Sequence, residues 1–149
     1  MIESVNPIKR IDAPPDAAFA VVASIGGLDR LLPLIESCRV EGAGVGARRF
    51  LRLAASAGGG EIEDRIDEID HQRRRLRYTR TRSPFPVKSY VGTVEIRPAP
   101  EGRSEVSWRV EIDVAPEAKE ELVPLLFGAL SGLIDGIEHE AKQRETASR

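Results

Sequence analysis

The sequence predicts an α+β domain in which a curved, seven-stranded antiparallel sheet wraps around a long C-terminal helix. Three observations carry this expectation. From residue 47 to 113 apolar and polar residues alternate with a period of two, in five runs parted by short breaks. From 116 to 145 the period becomes helical, with Leu122, Leu126, Leu130, Leu133, Ile137 and Ala141 on one stripe. No other segment is long enough to cover the apolar face that such a sheet must bury.

The elements follow in order. Residues 4–12 read as a first strand, ended by Ala13-Pro14-Pro15-Asp16. Pro15 suits the first turn of a short helix over 16–24, in which Phe19, Val22 and Ala23 share a face. Gly26-Gly27 stops that helix, and a second short helix over 28–32 stops at Pro33. A strand over 36–42 runs into Gly42, Gly44 and Gly46, whose alternate spacing favours a tight turn at positive φ. A phosphate-cradling loop is the rival reading, but a strand pattern follows and not a helix N-terminus. The strands 47–55, 61–69, 73–82, 89–97 and 104–113 then form a meander. Pro116 starts the long helix, and Pro124 predicts a kink or a delayed start. The whole of 1–149 reads as one domain.

Composition excludes several classes. The net charge of −2 gives no global attraction to nucleic acid or to anionic lipid. The single cysteine, Cys38, cannot pair within the chain, so the fold does not depend on oxidation, and it reads as a small core residue. The first twelve residues are polar and interrupted by proline, which is unlike a signal peptide, and no apolar run approaches the length needed to span a bilayer. The expected location is cytoplasmic. No cofactor motif and no metal-ligand set is legible: His139 with Asp135 gives two ligands of the three or four needed, and His71 lies in a turn. No nucleophile–base arrangement can be read either. The basic stretch Arg73-Arg74-Arg75 with Arg77, Arg80 and Arg82 divides between two strand faces, which suits a solvated edge better than a nucleic-acid surface. A homodimer is left open.

Three glycines, Gly128, Gly132 and Gly136, recur on one row of the long helix. Each mid-helix glycine costs roughly 1 kcal/mol relative to alanine, so the row asks for a reason. Close packing against the sheet is one; a stripe left empty for a ligand is the other.

In its linear order of motifs the chain resembles the START-like helix-grip superfamily, SRPBCC, and within it the bacterial polyketide cyclase/dehydrase and lipid-transport-like proteins. The features that carry the resemblance span nearly the whole chain: Ile11-Asp12-Ala13-Pro14 before the helix with Phe19, Leu32-Pro33-Leu34-Ile35 before a strand ending in Glu41-Gly42, and Gly44-Val45-Gly46-Ala47-Arg48-Arg49. Arg65-Ile66 followed by Asp70, Pro84-Phe85-Pro86-Val87 with Tyr90, and Ser107-Trp108 complete it. The resemblance implies a hydrophobic cavity between sheet and helix. Relatives in that superfamily cyclise polyketides, carry lipids, bind hormones or assist chaperones, so it does not name one function. Many carry a tryptophan before the proline of the second short helix, where this chain has Leu31-Leu32 and hence a more aliphatic mouth.

Strand parity supplies the candidate lining. Val106, Trp108, Val110 and Ile112 share a face that must point inward, as do Tyr90, Val94 and Ile96. By the same parity Leu76, Tyr78, Arg80 and Arg82 point inward, with Ile62, Asp64, Ile66 and Glu68, and with Arg49, Leu51 and Leu53. A tight turn at 70–73 sets Asp64 opposite Arg80 and Ile66 opposite Tyr78, and Arg49 is expected near Glu68. These charges are either internal ion pairs or donors to a ligand. The candidate ligand-binding set is Arg49, Leu51, Asp64, Ile66, Tyr78, Arg80, Tyr90 and Trp108 on the sheet, with Phe127, Leu130 and Gly132 on the helix. The expected partner is a small hydrophobic or aromatic molecule, bound or carried. A cyclase of the aromatase type is the alternative, with Arg80, Tyr78 or Tyr90 polarising a carbonyl and Asp64 or Glu68 moving a proton. A protein-interaction module with a collapsed core is the third.

Overall fold

Alternation over 47–113 becomes five consecutive antiparallel strands in a computed structural model, which describes residues 1–147. The strands are β1 (Ile2–Val5), β2 (Ile8–Ile11), β3 (Ile35–Glu41), β4 (Arg48–Leu53), β5 (Glu61–Asp70), β6 (Arg75–Arg82), β7 (Val87–Ala99) and β8 (Arg103–Val114). The helices are α1 (Pro15–Ala23), α2 (Leu28–Leu31) and α3 (Pro116–Ala147). The sheet order is β1-β8-β7-β6-β5-β4-β3, and β2 also pairs with β8. The first expected strand is thus two collinear pieces that begin at Ile2, not residue 4. Pro7 causes the break, because it has no N–H to give to β8. Its carbonyl still accepts from the Trp108 backbone N–H at 3.2 Å. Proline is tolerated there because β1 and β2 form a sheet edge.

The stripe on α3 is buried as its spacing requires: Leu122, Leu126, Leu130, Leu133, Ile137 and Ala141 all lie in the core. They face Val106, Trp108, Val110 and Ile112 of β8, also buried. α3 has the length and apolar composition of a spanning helix, but this stripe makes it the core helix of the domain. The helix runs through Pro124 without a delayed start. Glu120, whose carbonyl loses its usual partner, is exposed to water.

The glycine row has a use that neither sequence reading named. A Cβ on Gly136 would overlap the backbone of Leu31, and one on Gly132 would stand 2.7 Å from the Leu32 side chain. A Cβ on Gly128 would meet nothing within 4 Å. Gly136 and Gly132 thus seat the end of α2 and the Leu32 that follows it, neither packing on the sheet nor lining an empty stripe, and Gly128 takes no part. The turn has positive φ at Gly42, Gly44 and Gly46 and leads into β4, a strand, as the turn reading expects.

Candidate functional site

Arg49 on β4, Asp64 on β5 and Arg80 on β6 stand in one row across three strands of the inner face, because β-register pairs Arg49 with Asp64 and Asp64 with Arg80. Asp64 is fully buried and accepts from both neighbours. Arg49 donates Nε and Nη2 to Oδ2 at 3.1 and 3.0 Å, and Arg80 donates Nε to Oδ1 at 2.8 Å and Nη2 to Oδ2 at 3.4 Å. The remaining Arg49 nitrogen, Nη1, donates to the Ile25 carbonyl at 3.1 Å. That bond ties the sheet to the end of α1, where Ile25 takes φ 66°, a left-handed conformation strained for a β-branched residue.

Two expectations of parity fail here, both at β-bulges. The register shifts between Ile66 and Glu68, so the inward position passes to Ile69, which pairs with Leu76. Glu68 turns outward and accepts from Arg75 Nε at 2.8 Å; it is not the partner of Arg49. A second shift between Glu63 and Asp64 moves Arg82 off the inner face. Arg82 is exposed and pairs with Glu61 at 3.3 Å. Asp64 opposite Arg80 and Ile66 opposite Tyr78 are both present.

Aromatic groups close around the row. The Arg80 guanidinium lies 4.1 Å from the centre of the Tyr90 ring, and that of Arg49 lies 4.9 Å from the centre of Tyr78. Trp108 donates its indole N–H to the Tyr78 hydroxyl at 3.1 Å. Gly92 makes that bond possible: it sits opposite Tyr78 on β7, and any Cβ there would occupy the space of the Tyr78 ring. Sequence reading missed Gly92, although a glycine inside a strand is a signal for close approach. It also missed Ile25, for which no sequence signal exists, since only a backbone carbonyl is used.

A cavity of about 230 Å3 lies between this wall and α3. Leu51, Tyr78, Arg80, Tyr90, Trp108 and Leu130 of the expected set line it. Arg49, Asp64 and Ile66 do not; they lie in the layer behind. Phe127 and Gly132 are also absent from the lining. Phe127 is 51% exposed on the outside of α3, and Gly132 is under the Leu32 side chain. Of the aliphatic mouth expected at Leu31-Leu32, Leu32 lines the cavity and Leu31 does not, and the rest of the mouth was not legible in the sequence. Leu34 and Leu125 there are exposed and Phe85 is half-buried, and all three come from segments that meet only in the folded chain.

Electrostatics fix the protonation of the wall. Burial pushes the Asp64 carboxyl up, but Arg80 and Arg49 outweigh it and hold the group below the usual carboxylate range. Burial works to lower the pKa of Arg80, and Asp64 reverses it, so the guanidinium stays charged. Burial, with Tyr78 alongside, raises Tyr90 far above the ordinary phenol value, so it stays protonated. Elsewhere, His139 and Asp135 are exposed, and Asp135 pairs with Lys9 at 2.5 Å. Among the described residues no group of three or more His, Cys, Asp and Glu could hold a metal.

Comparison with solved structures places the fold. The Zhui aromatase/cyclase of Streptomyces sp. R1128 is 18% identical, with 97% of this chain and 96% of that one covered and a TM-score of 0.84. Norcoclaurine synthase of Thalictrum flavum is 20% identical, with 93% and 86% covered and a TM-score of 0.80. The protein XoxI of Bacillus cereus is 22% identical, with 95% and 97% covered and a TM-score of 0.81. At such identities the likeness is one of fold. No curated protein sequence matches the chain. A family match covers residues 4–140, from β1 into the last turns of α3 and across the whole Arg49–Asp64–Arg80 row, and the chain therefore belongs to the polyketide cyclase / dehydrase and lipid transport family.

Proposed function

We propose that the protein binds a small, mainly apolar molecule in the cavity between the sheet and α3, and holds it without transforming it. The observation that carries this reading is an apolar cavity with one cationic side chain, Arg80, on its wall. Small-molecule sites have this character: apolar lining with a few convergent polar groups. The volume sets the scale. An apolar cavity of about 150 Å3 takes up benzene, and drug-sized sites run from about 300 Å3 upward. At about 230 Å3 the cavity suits a ligand of one or two rings or a short chain.

Cyclase chemistry in the same cavity is the alternative that family membership supports, along with a structural neighbour named as an aromatase/cyclase. Geometry weighs against it. Asp64 is locked by two arginines, held ionised, and stands behind the cavity wall. Glu68 faces away from the cavity. Neither carboxylate is placed to move a proton on a bound ligand, as general acid–base chemistry requires. Arg80 and Tyr90 can orient a carbonyl, which is a binding role. Native mass spectrometry of protein purified from cells tests the reading. A co-purifying molecule of this size is expected, and its removal should lower the melting temperature. An empty spectrum, with no stabilisation by any apolar or aromatic compound, would overturn the reading. Turnover of a poly-β-ketone that is lost in Arg80→Ala would favour the cyclase instead.

A further inference from the structure

The polar wall has an unbalanced charge. Arg49 and Arg80 are both buried, with side chains 3% and 8% exposed, and Asp64 between them is 0% exposed. Among the described residues Asp64 is the only carboxylate within 4.0 Å of either arginine. Two positive charges and one negative leave one positive charge uncompensated beside an apolar space. Charges taken out of water are normally paired, because an unpaired buried ion loses its hydration with nothing in return. The Tyr90 and Tyr78 ring faces stabilise the Arg80 cation in part and do not neutralise it.

Hydrogen-bond geometry shows where the counter-charge belongs. A guanidinium has two usable edges that can each meet a carboxylate side by side. Asp64 occupies the edge formed by Nε and Nη2 of Arg80. The other edge, Nη1 with the second N–H of Nη2, bonds no protein group among the described residues. Every fully buried side-chain nitrogen and oxygen among the described residues has a partner. Nη1 of Arg80 is therefore not sealed in, and Arg80 lines the cavity. Arg49 is not a second fork, since all its bonds go to Asp64 and to the Ile25 carbonyl.

We propose that the cavity selects a monocarboxylate with a compact apolar body, an aromatic or short aliphatic acid, whose head takes the free edge of Arg80. This rests on the reading of the cavity as a ligand site and adds the class of ligand. Asp64 then acts as a positioning residue: it fixes the Arg80 plane so that its open edge meets the ligand. Tyr90, held in its protonated form on the same wall, offers a hydroxyl to the same head.

Trp108, the single tryptophan, lines the cavity and reports on occupancy. Ethylbenzene, 4-ethylbenzamide and 4-ethylbenzoate share one apolar body and differ only in the head. Titration of the wild-type protein with each, followed by Trp108 fluorescence at neutral pH, should give a dissociation constant at least tenfold lower for the benzoate than for the other two. In Arg80→Gln, which leaves the neutral Arg49–Asp64 pair behind, the benzoate should bind no better than the benzamide. Equal affinities in the wild-type protein, or a benzoate preference that survives in Arg80→Gln, would overturn the carboxylate assignment and leave the cavity reading standing. Failure of all three probes at millimolar concentration would overturn both. Should Arg80→Gln not fold, the wild-type contrast between benzoate and benzamide decides alone.

Discussion

Both buried arginines of the inner row depend on Asp64. It accepts four hydrogen bonds from two buried arginines. Asp64→Asn removes the one negative charge between them, and breaking a buried pair in this way costs about 3–5 kcal/mol. Urea denaturation at pH 7 should show that loss. The same comparison has a defined pH dependence. The folded carboxyl is held below the ordinary value, so near and below pH ~4 the unfolded chain takes up the proton first. The contribution of Asp64 is therefore complete above that value and fades as the pH falls through the lowered folded pKa. The gap between wild type and Asp64→Asn should narrow in melts taken towards pH 3. Gly92 is the second sensitive residue. Gly92→Ala drives a methyl group into the Tyr78 ring, an overpacking that typically costs about 1–3 kcal/mol. It should also change the emission of Trp108, whose indole loses its Tyr78 acceptor; unchanged emission would mean that the ring had not moved.

Among the elements, α3 combines two roles on different faces. Its leucine stripe closes the cavity, and Gly132 and Gly136 receive the end of α2 and Leu32. The two ends of the glycine row should respond in opposite directions to the same change. Gly136→Ala presses a Cβ onto the Leu31 backbone, which cannot rotate away, and should destabilise by about 1–3 kcal/mol. Gly128→Ala meets nothing and replaces a poor helix former by the best one, so it should stabilise by about 1 kcal/mol. Thermal melts of the two variants beside wild type decide whether Gly136 is a helix seat. Equal effects would speak against it. Element spacing was legible in the sequence because each period belongs to one element: the α3 stripe and the β8 face needed only 3.6 and 2 residues per repeat. Bulges at Asp67 and Thr81 were not legible, since nothing in the local residues marks where a strand takes an extra one, and they misplaced Glu68 and Arg82.

For the whole molecule, the question is whether the space between sheet and helix is a site or a packing defect. Ala129 lines the cavity from α3 and is half-buried. Ala129→Leu should fill part of the space, raise stability by about 0.5–2 kcal/mol as cavity filling does, and abolish binding of 4-ethylbenzoate. Retained binding would place the ligand elsewhere. A saturating ligand should also stabilise the fold by mass action, about 2.7 kcal/mol at a hundred times its dissociation constant. A melting temperature that rises with the logarithm of ligand concentration checks this.

By itself the sequence determined the order of the elements, the buried faces of β4, β7 and β8, those of β5 and β6 as far as their bulges, and the antiparallel partnership of Asp64 with Arg80. Those follow from periodicity and short turns, which are local properties of the chain. Only the tertiary structure decided that Arg49 belongs to Asp64, that one edge of Arg80 is left open, and that Gly132 and Phe127 lie off the cavity. Those facts depend on register, on bulges and on the seating of one helix against another. Such distances are set by packing between residues far apart in the chain, and no local pattern encodes them.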